Sequence, residues 1–367
     1  MGVHWFGRVL LVSGLVWLAG CTAGGGGTGG GSTGLDGHGT ITGTIRGPVV
    51  AGLAVALVGA VEATTVTDGN GNYKFGGVPV GQYHVIPVPT RDAHFTPPRI
   101  LVSSHDDVRN GNDFVSREPP NIDGFAPTSI GSELWAWGWA GADGSNLARV
   151  SGGGGDLISF MADLSGHGRH FFNNTSRKAG YESSLNLGAE TLGGAYATNL
   201  PLIGIHRYAN GSDHFGSIYY QSTELAATAG FYLAVVMTNT REAGTRELFG
   251  TDGQHNLRLD QSSGDLYMTL GGFETKLTDG TIPHGALILE IWREDSGRMT
   301  VMENGLEASD GSAFVNGRFD VSGFGFDQTG TSYFDDYLME VVMCDRLPPA
   351  PERDQLREYL RVKWGTY

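Results

Sequence analysis

Two pairs of carboxylates stand at spacings that could do chemistry on a glycosidic bond. Asp336 and Glu340 are four residues apart in a strand-like run, and so are Glu290 and Glu294. In a β-strand every second side chain shares a face, so each pair would look into one cleft as acid and nucleophile. The positions between them are apolar, however: Leu338 in the first pair and Trp292 in the second. His167 and His170 share a short segment with Asp163, which invites a metal ion, but the spacing matches no established ligand set. Cys344 lies in an apolar run and reads as packing. No G-x-S-x-G elbow, H-E-x-x-H helix or phosphate loop occurs. The expectation is a protein that is not an enzyme and holds no cofactor.

Residues suited to binding are easier to find. Trp135, Trp137 and Trp139 alternate in Leu134-Trp135-Ala136-Trp137-Gly138-Trp139, so a regular strand would project all three to one side. Such a row either stacks on sugar rings or fills the core of a sandwich. Tyr219 and Tyr220, with His206 and Asp213 nearby in the Gly-rich middle, are further candidates for a ligand rim.

The elements that must carry these residues are strands. From Ser132 onward, short apolar or alternating runs separated by Gly-rich turns recur until a single helical pattern at the end. That arrangement points to a double-sheet antiparallel sandwich. The closing helix starts at Pro351, carries Glu352 and Asp354 in its first turn, and sets Leu356, Tyr359, Leu360 and Trp364 on one face. Upstream, Thr40–Ile45, Val49–Val58, Ala63–Thr67, Tyr73–Phe75 and Gln82–Val88 read as strands of a smaller sandwich. Asp68-Gly69-Asn70-Gly71-Asn72 is a hairpin turn. Asp68, Asn70 and Asn72 also have the spacing of a calcium loop, but Tyr73 stands where such a loop needs Gly and Pro79 where it needs Glu. Structural calcium therefore has no motif behind it, and Lys74 reads as solvent-facing. Glu118-Pro119-Pro120 marks a boundary that should separate two cores sharing little surface.

Composition narrows the partners. The 367 residues carry 24 Lys and Arg against 39 Asp and Glu, a net charge of −15, which repels nucleic acid and anionic lipid. The two cysteines are Cys21 and Cys344. Ala23 to Gly39 is nearly all Gly, Ser and Thr and reads as a flexible tether. Val9 to Leu18 is apolar but too short to span a bilayer.

Three family resemblances organise these readings. Leu18-Ala19-Gly20-Cys21 resembles the lipobox of bacterial lipoproteins, which implies cleavage before Cys21, lipid on its thiol and new amino terminus, and a membrane anchor. Thr22 in place of Asp implies sorting to the outer membrane or cell surface of the bacterial envelope. Thr67-Asp68-Gly69-Asn70-Gly71-Asn72-Tyr73-Lys74-Phe75 and Val78-Pro79-Val80-Gly81-Gln82-Tyr83 resemble the carboxypeptidase regulatory-like domain, a transthyretin-like or Cna-B-like β-sandwich without catalysis. Asp163 to Phe171 (D-x-S-G-x-G-x-x-F), Tyr333 to Met343 and Glu352 to Gly365 (ending Y-L-x-x-K-W-G) resemble, in order, LamG-like jelly rolls of the concanavalin A-like lectin/glucanase superfamily. Glucanases of that superfamily carry E-x-D-x-E or a near variant, which this chain lacks.

The expected organisation is a signal peptide over 1–20, a tether over 21–38, a regulatory-like sandwich over 39–117, a linker over 118–122 and a jelly roll over 123–367. The fold class is all-β, with a short C-terminal helix. The expected role is a lipid-anchored surface protein whose head binds extracellular glycan or protein, with a divergent glucanase and a structural envelope protein as alternatives.

Overall fold

The computed structural model describes residues 39–90, 93–105, 107–118, 120–139, 146–152, 155–167, 169–172, 180–182, 202–205, 218–220, 225–227, 230–239, 245–252, 255–260, 263–270, 272–278, 282, 285–309, 319–321, 323–324 and 336–364. Cys21, His206 and Asp213 lie outside them.

The N-terminal part is a sandwich of two sheets. One orders Asn72–Val78, Gly39–Arg46, Phe114–Arg117 and His94–Thr96, and the other Ala63–Val66, Ala54–Gly59, Gly81–Pro87 and Ile100–Ser104. Gly39–Arg46 alternates buried and half-exposed along its length, as a strand with one face on a core must. Ile41, Ile45, Val55, Leu57, Phe75, Val85 and Phe114 meet between the sheets. The expected long strand from Val49 is shorter than its apolar sequence implies, beginning only at Ala54. Gly52, at φ 70°, turns the chain, and the Thr67 hydroxyl fastens the turn by donating to Val50 O at 2.7 Å while accepting from Leu53 N at 2.9 Å. In the hairpin turn, the Asp68 carboxylate accepts from the backbone of Asn70 and Asn72 at 2.9 and 2.8 Å, an Asx-type closure. Lys74 is exposed.

The C-terminal part is a larger sandwich with a helix laid against its outside. A central antiparallel sheet runs in the order Met299–Glu303, Gly285–Arg293, Phe231–Asn239, Asp336–Cys344 and Leu134–Trp139. Both of its faces are covered. One face, with Leu233, Val235, Leu289, Ile291, Val341 and Met343, packs on Leu257, Leu259, Leu266 and Met268 of a second sheet. The opposite face, with Tyr232, Val236, Ile288 and Val342, packs on Leu356, Tyr359, Leu360 and Trp364 of the Ala350–Trp364 helix. These are the four residues that the helical periodicity set on one face. Two sheets and a helix in successive layers make a sandwich rather than a barrel. The second sheet includes Phe273–Lys276, Asp265–Leu270, His255–Asp260 and Thr245–Asp252 as consecutive antiparallel neighbours. Gly180–Glu182 and Leu202–Ile205 link the ladders by pairing between Gly155–Met161 and Asp336–Cys344. The chain is all-β, with one C-terminal α-helix among the described residues.

The two sandwiches share more surface than the paired prolines imply. Ile86 of the smaller one is buried in the cluster around the helix, and Val58 packs against it. The Arg99 guanidinium donates to Ser159 Oγ at 3.0 Å and lies 4.9 Å over the Phe160 ring. Burial drives this cluster together, because Val58 and Ile86 stand on the outer face of a sheet that would otherwise show apolar side chains to water.

Candidate functional site

Two of the four carboxylates singled out by spacing, Glu340 and Glu290, are committed to holding the terminal helix. Glu340 is fully buried and accepts from Trp137 Nε1 at 2.7 Å, Trp364 Nε1 at 2.6 Å and Tyr359 Oη at 3.3 Å, with Lys363 Nζ at 2.8 Å. Lys363 in turn sits 3.6 Å above the centre of the Trp139 ring. Burial lowers the Lys363 ammonium to about 8, and the adjoining Glu340 opposes that shift. Glu290, equally buried, accepts from Tyr232 Oη at 2.6 Å and is paired with the Arg357 guanidinium. Its in-phase neighbour Glu294 lies in a hairpin turn that closes on Arg298. Asp336 pairs through its backbone with Ile205. With Glu340 and Glu290 both fully buried under the helix, neither is an open carboxylate.

The D-x-S-G-x-G-x-x-F segment is a stitch along the edge of the central sheet. The Asp163 carboxylate accepts from Trp137 N at 3.0 Å, Ser165 N at 2.9 Å, Ser165 Oγ at 2.8 Å and Arg169 N at 2.8 Å. His170 is buried, and its Nδ1 accepts from Asp163 N at 3.2 Å, whereas His167 is exposed. Asp163 therefore spends its oxygens on the fold. Among the described residues, no group of three His, Cys, Asp or Glu side chains is placed to hold a metal ion. Cys344 is a buried free thiol that burial pushes far above its ordinary range.

The three tryptophans do not form one row. A β-bulge falls at Trp135: Leu134 pairs with Cys344 and Ala136 with Met343, leaving Trp135 as the extra residue. The bulge turns Trp135 into the sandwich core, while Trp137 and Trp139 face the helix layer. All three are buried. The Trp135 carbonyl, freed from the ladder, accepts from Arg169 Nη1 at 2.6 Å. Gly138 separates Trp137 from Trp139 because a Cβ there would come within 2.7 Å of Met161 Cε. Tyr219 and Tyr220 lie in Ile218–Tyr220, paired with Phe172 and Phe171 in the second sheet.

A polar face that spacing did not single out lies on that second sheet. His255–Asp260 and Asp265–Leu270 alternate, sending Leu257, Leu259, Leu266 and Met268 into the core. Their other face carries Asn256 and Arg258 opposite Thr269 and Tyr267, continued by Glu274 and Lys276 on the next strand. The floor is buried: Glu247 is 4% exposed, Asn256 5% and Thr269 7%. Asn256 Nδ2 donates to Glu247 Oε1 at 3.1 Å, while Asn256 Oδ1, itself closed off from solvent, has no hydrogen-bond partner among the described residues. The rim is open, with Glu274 and Lys276 exposed and Tyr267 half-exposed. The Arg258 guanidinium lies 4.5 Å over the Tyr267 ring and is ion-paired with Glu274. Such a face offers planar polar groups and an oriented aromatic ring at its rim. Its signal in the sequence is the alternation of polar residues in Asn256-Leu257-Arg258-Leu259-Asp260 and Asp265-Leu266-Tyr267-Met268-Thr269.

No known protein family matches the chain, and no curated protein matches it. Similar solved structures include a Trypanosoma rangeli sialidase in complex with the inhibitor DANA, at 15% identity and TM-score 0.34, covering 66% of this chain and 33% of that one. The covalent-intermediate complex of the T. rangeli enzyme matches at 13% identity and TM-score 0.35, covering 63% and 33%. The CBM40 domain of a Ruminococcus gnavus IT-sialidase bound to α2,3-sialyllactose matches at 16% identity and TM-score 0.28, covering 36% of this chain and 82% of that one. The chain spans about a third of the length of the sialidases it matches. The expectation of a protein that is not an enzyme is corrected by these neighbours, since the sialidases among them are enzymes. TM-scores of this size assign neither a reaction nor a ligand to the chain.

Proposed function

We propose that this chain is a surface protein of the bacterial envelope, lipid-anchored at Cys21, whose C-terminal sandwich recognises extracellular glycan through the second-sheet face around Asn256, Arg258 and Tyr267. The N-terminal sandwich, which resembles carboxypeptidase regulatory-like domains, is its spacer. The observation that carries the reading is the half-exposed Tyr267 ring, held under the Arg258 guanidinium beside the exposed Glu274 and Lys276. Sugar hydroxyls donate and accept together, and their C–H faces lie well on aromatic rings, so this combination suits a sugar better than an apolar ligand. Binding of the purified chain to a glycan array, abolished by Tyr267→Ala, tests it. Equal array binding by wild type and variant would remove this face from the function. The anchor is tested separately by metabolic labelling with a clickable fatty acid, which Cys21→Ser should abolish.

A second reading, glycan hydrolysis, is favoured by one observation. Glu303 is half-buried and raised to about 7 by that burial, which keeps a carboxylic acid protonated near neutrality as a general acid requires. Reducing-end release by wild-type protein that disappears in Glu303→Gln would support it.

A further inference from the structure

We infer that acid opens the joint between the two sandwiches, because the docked arrangement gives neither His84 nor His170 a place for an extra proton. The two rings share one cationic neighbour. Arg99 of the smaller sandwich lies over the Phe160 ring of the larger one, and the His170 ring packs on that same Phe160 with 5.0 Å between ring centres. His84 stands on the outer face of the smaller sandwich, paired on one side with Val58, which packs on the larger one, and on the other with the exposed Leu101. It therefore sits at the margin of the joint.

In an imidazolium both nitrogens carry hydrogen, and each needs an acceptor or water. His84 Nδ1 is closed off from solvent and has no hydrogen-bond partner among the described residues, so its hydrogen would be a buried donor without an acceptor. His170 Nδ1 already accepts from Asp163 N, so a proton there would set donor against donor. The Arg99 charge adds to both costs. Asp163 opposes them at His170, but its carboxylate is already shared among Trp137 N, Ser165 N, Ser165 Oγ and Arg169 N. Burial above all, helped by Arg99, holds His84 down to about 4, the same range as His170. Undocking withdraws Arg99 from Phe160 and opens the margin around His84 to water, so the rings return towards their ordinary 6.5. The joint is thus held by neutral rings, fully above pH 6.5 and progressively less as pH falls towards 4. The cores around Ile41 and Leu233 are built of side chains that do not titrate in this range, so each sandwich keeps its fold while the contact between them is lost.

The test is hydroxyl-radical footprinting of the full chain at pH 7 and 4.5, with the exposed Phe273 as internal reference. Oxidation of Ile86 and Phe160, 4% and 0% exposed when docked, should rise about tenfold in acid, while Phe231 and Ile41 stay protected in their cores. His84→Gln places a side chain that does not titrate at the margin of the joint, so the rise should need a lower pH. Adding His170→Asn should remove it. No rise at Ile86, or the same midpoint pH in His84→Gln as in wild type, overturns the inference. Oxidation of Phe231 in step with Ile86 overturns it too, because acid would then be unfolding the larger sandwich rather than opening the joint.

Discussion

The Glu340 carboxylate takes the indole N–H of Trp364 at 2.6 Å, joining the penultimate strand-like motif of the sequence to its closing K-W-G. The strand and the closing helix are thereby one physical unit. Glu340 lies fully buried between Trp137 and Trp364, with Lys363 supplying its counter-charge. Removing one partner of a buried pair leaves the other charge without compensation, at a cost of about 3–5 kcal/mol. Glu340→Ala should therefore lower the melting midpoint steeply and loosen the helix. Replacing both partners, as Glu340→Gln with Lys363→Met, should recover much of the loss. Calorimetry of the single and double variants decides, and a double variant no better than Glu340→Ala would refute the pairing.

Much of this architecture was legible in the residues. The apolar face of the closing helix, the strand class of both parts and the turn at Asp68 follow from local periodicity and turn chemistry, which act within a few residues. What was not legible depends on partners distant in sequence. The bulge at Trp135 is set by its register against Met343 and Cys344, more than two hundred positions away, so alternation alone placed the tryptophans on one face. The polar face around Asn256 is built of ordinary residues, and only their pairing across strands brings them together.

Arg99 should couple the two sandwiches. Its hydrogen bond to Ser159 and its seat over Phe160 together are worth about 1–3 kcal/mol. Arg99→Ala should separate one cooperative thermal transition into two, or shift the earlier part of an existing pair downward. A variant whose calorimetric trace overlays wild type would show that Val58 and Ile86 hold the junction alone.

Acid should weaken the same neighbourhood. Burial above all, helped by the Arg99 charge and opposed by Asp163, holds His170 down to about 4. The neutral ring accepts from Asp163 N, so protonation would break that bond. The unfolded chain takes up this proton near pH 6.5, and the folded protein near 4. The contribution is complete above pH 6.5 and lost progressively as pH falls towards 4, amounting to about 3 kcal/mol. His170→Asn keeps an acceptor without titrating, so its stability should fall less between pH 7 and 4.5 than that of wild type. Parallel slopes for the two proteins would exclude His170 as the source.

Glu303 gives a prediction of opposite sign. It is half-buried on the strand that edges the central sheet, and desolvation raises its carboxyl to about 7. Between the ordinary carboxylate range and pH 7 the folded protein holds a proton that the unfolded chain has released. Stability from this group is therefore full below about 4.5 and declines as pH rises through 7. Glu303→Gln removes the ionisation and preserves the shape, so it should match wild type at pH 4.5 and melt higher at pH 8. The experiment also bears on hydrolysis: an acid that the fold would rather not ionise, whose amide is more stable at alkaline pH but loses any reducing-end release, is held for chemistry. If the amide stabilises the protein and no release is detected with either protein, the raised proton affinity of Glu303 is a consequence of packing at the sheet edge.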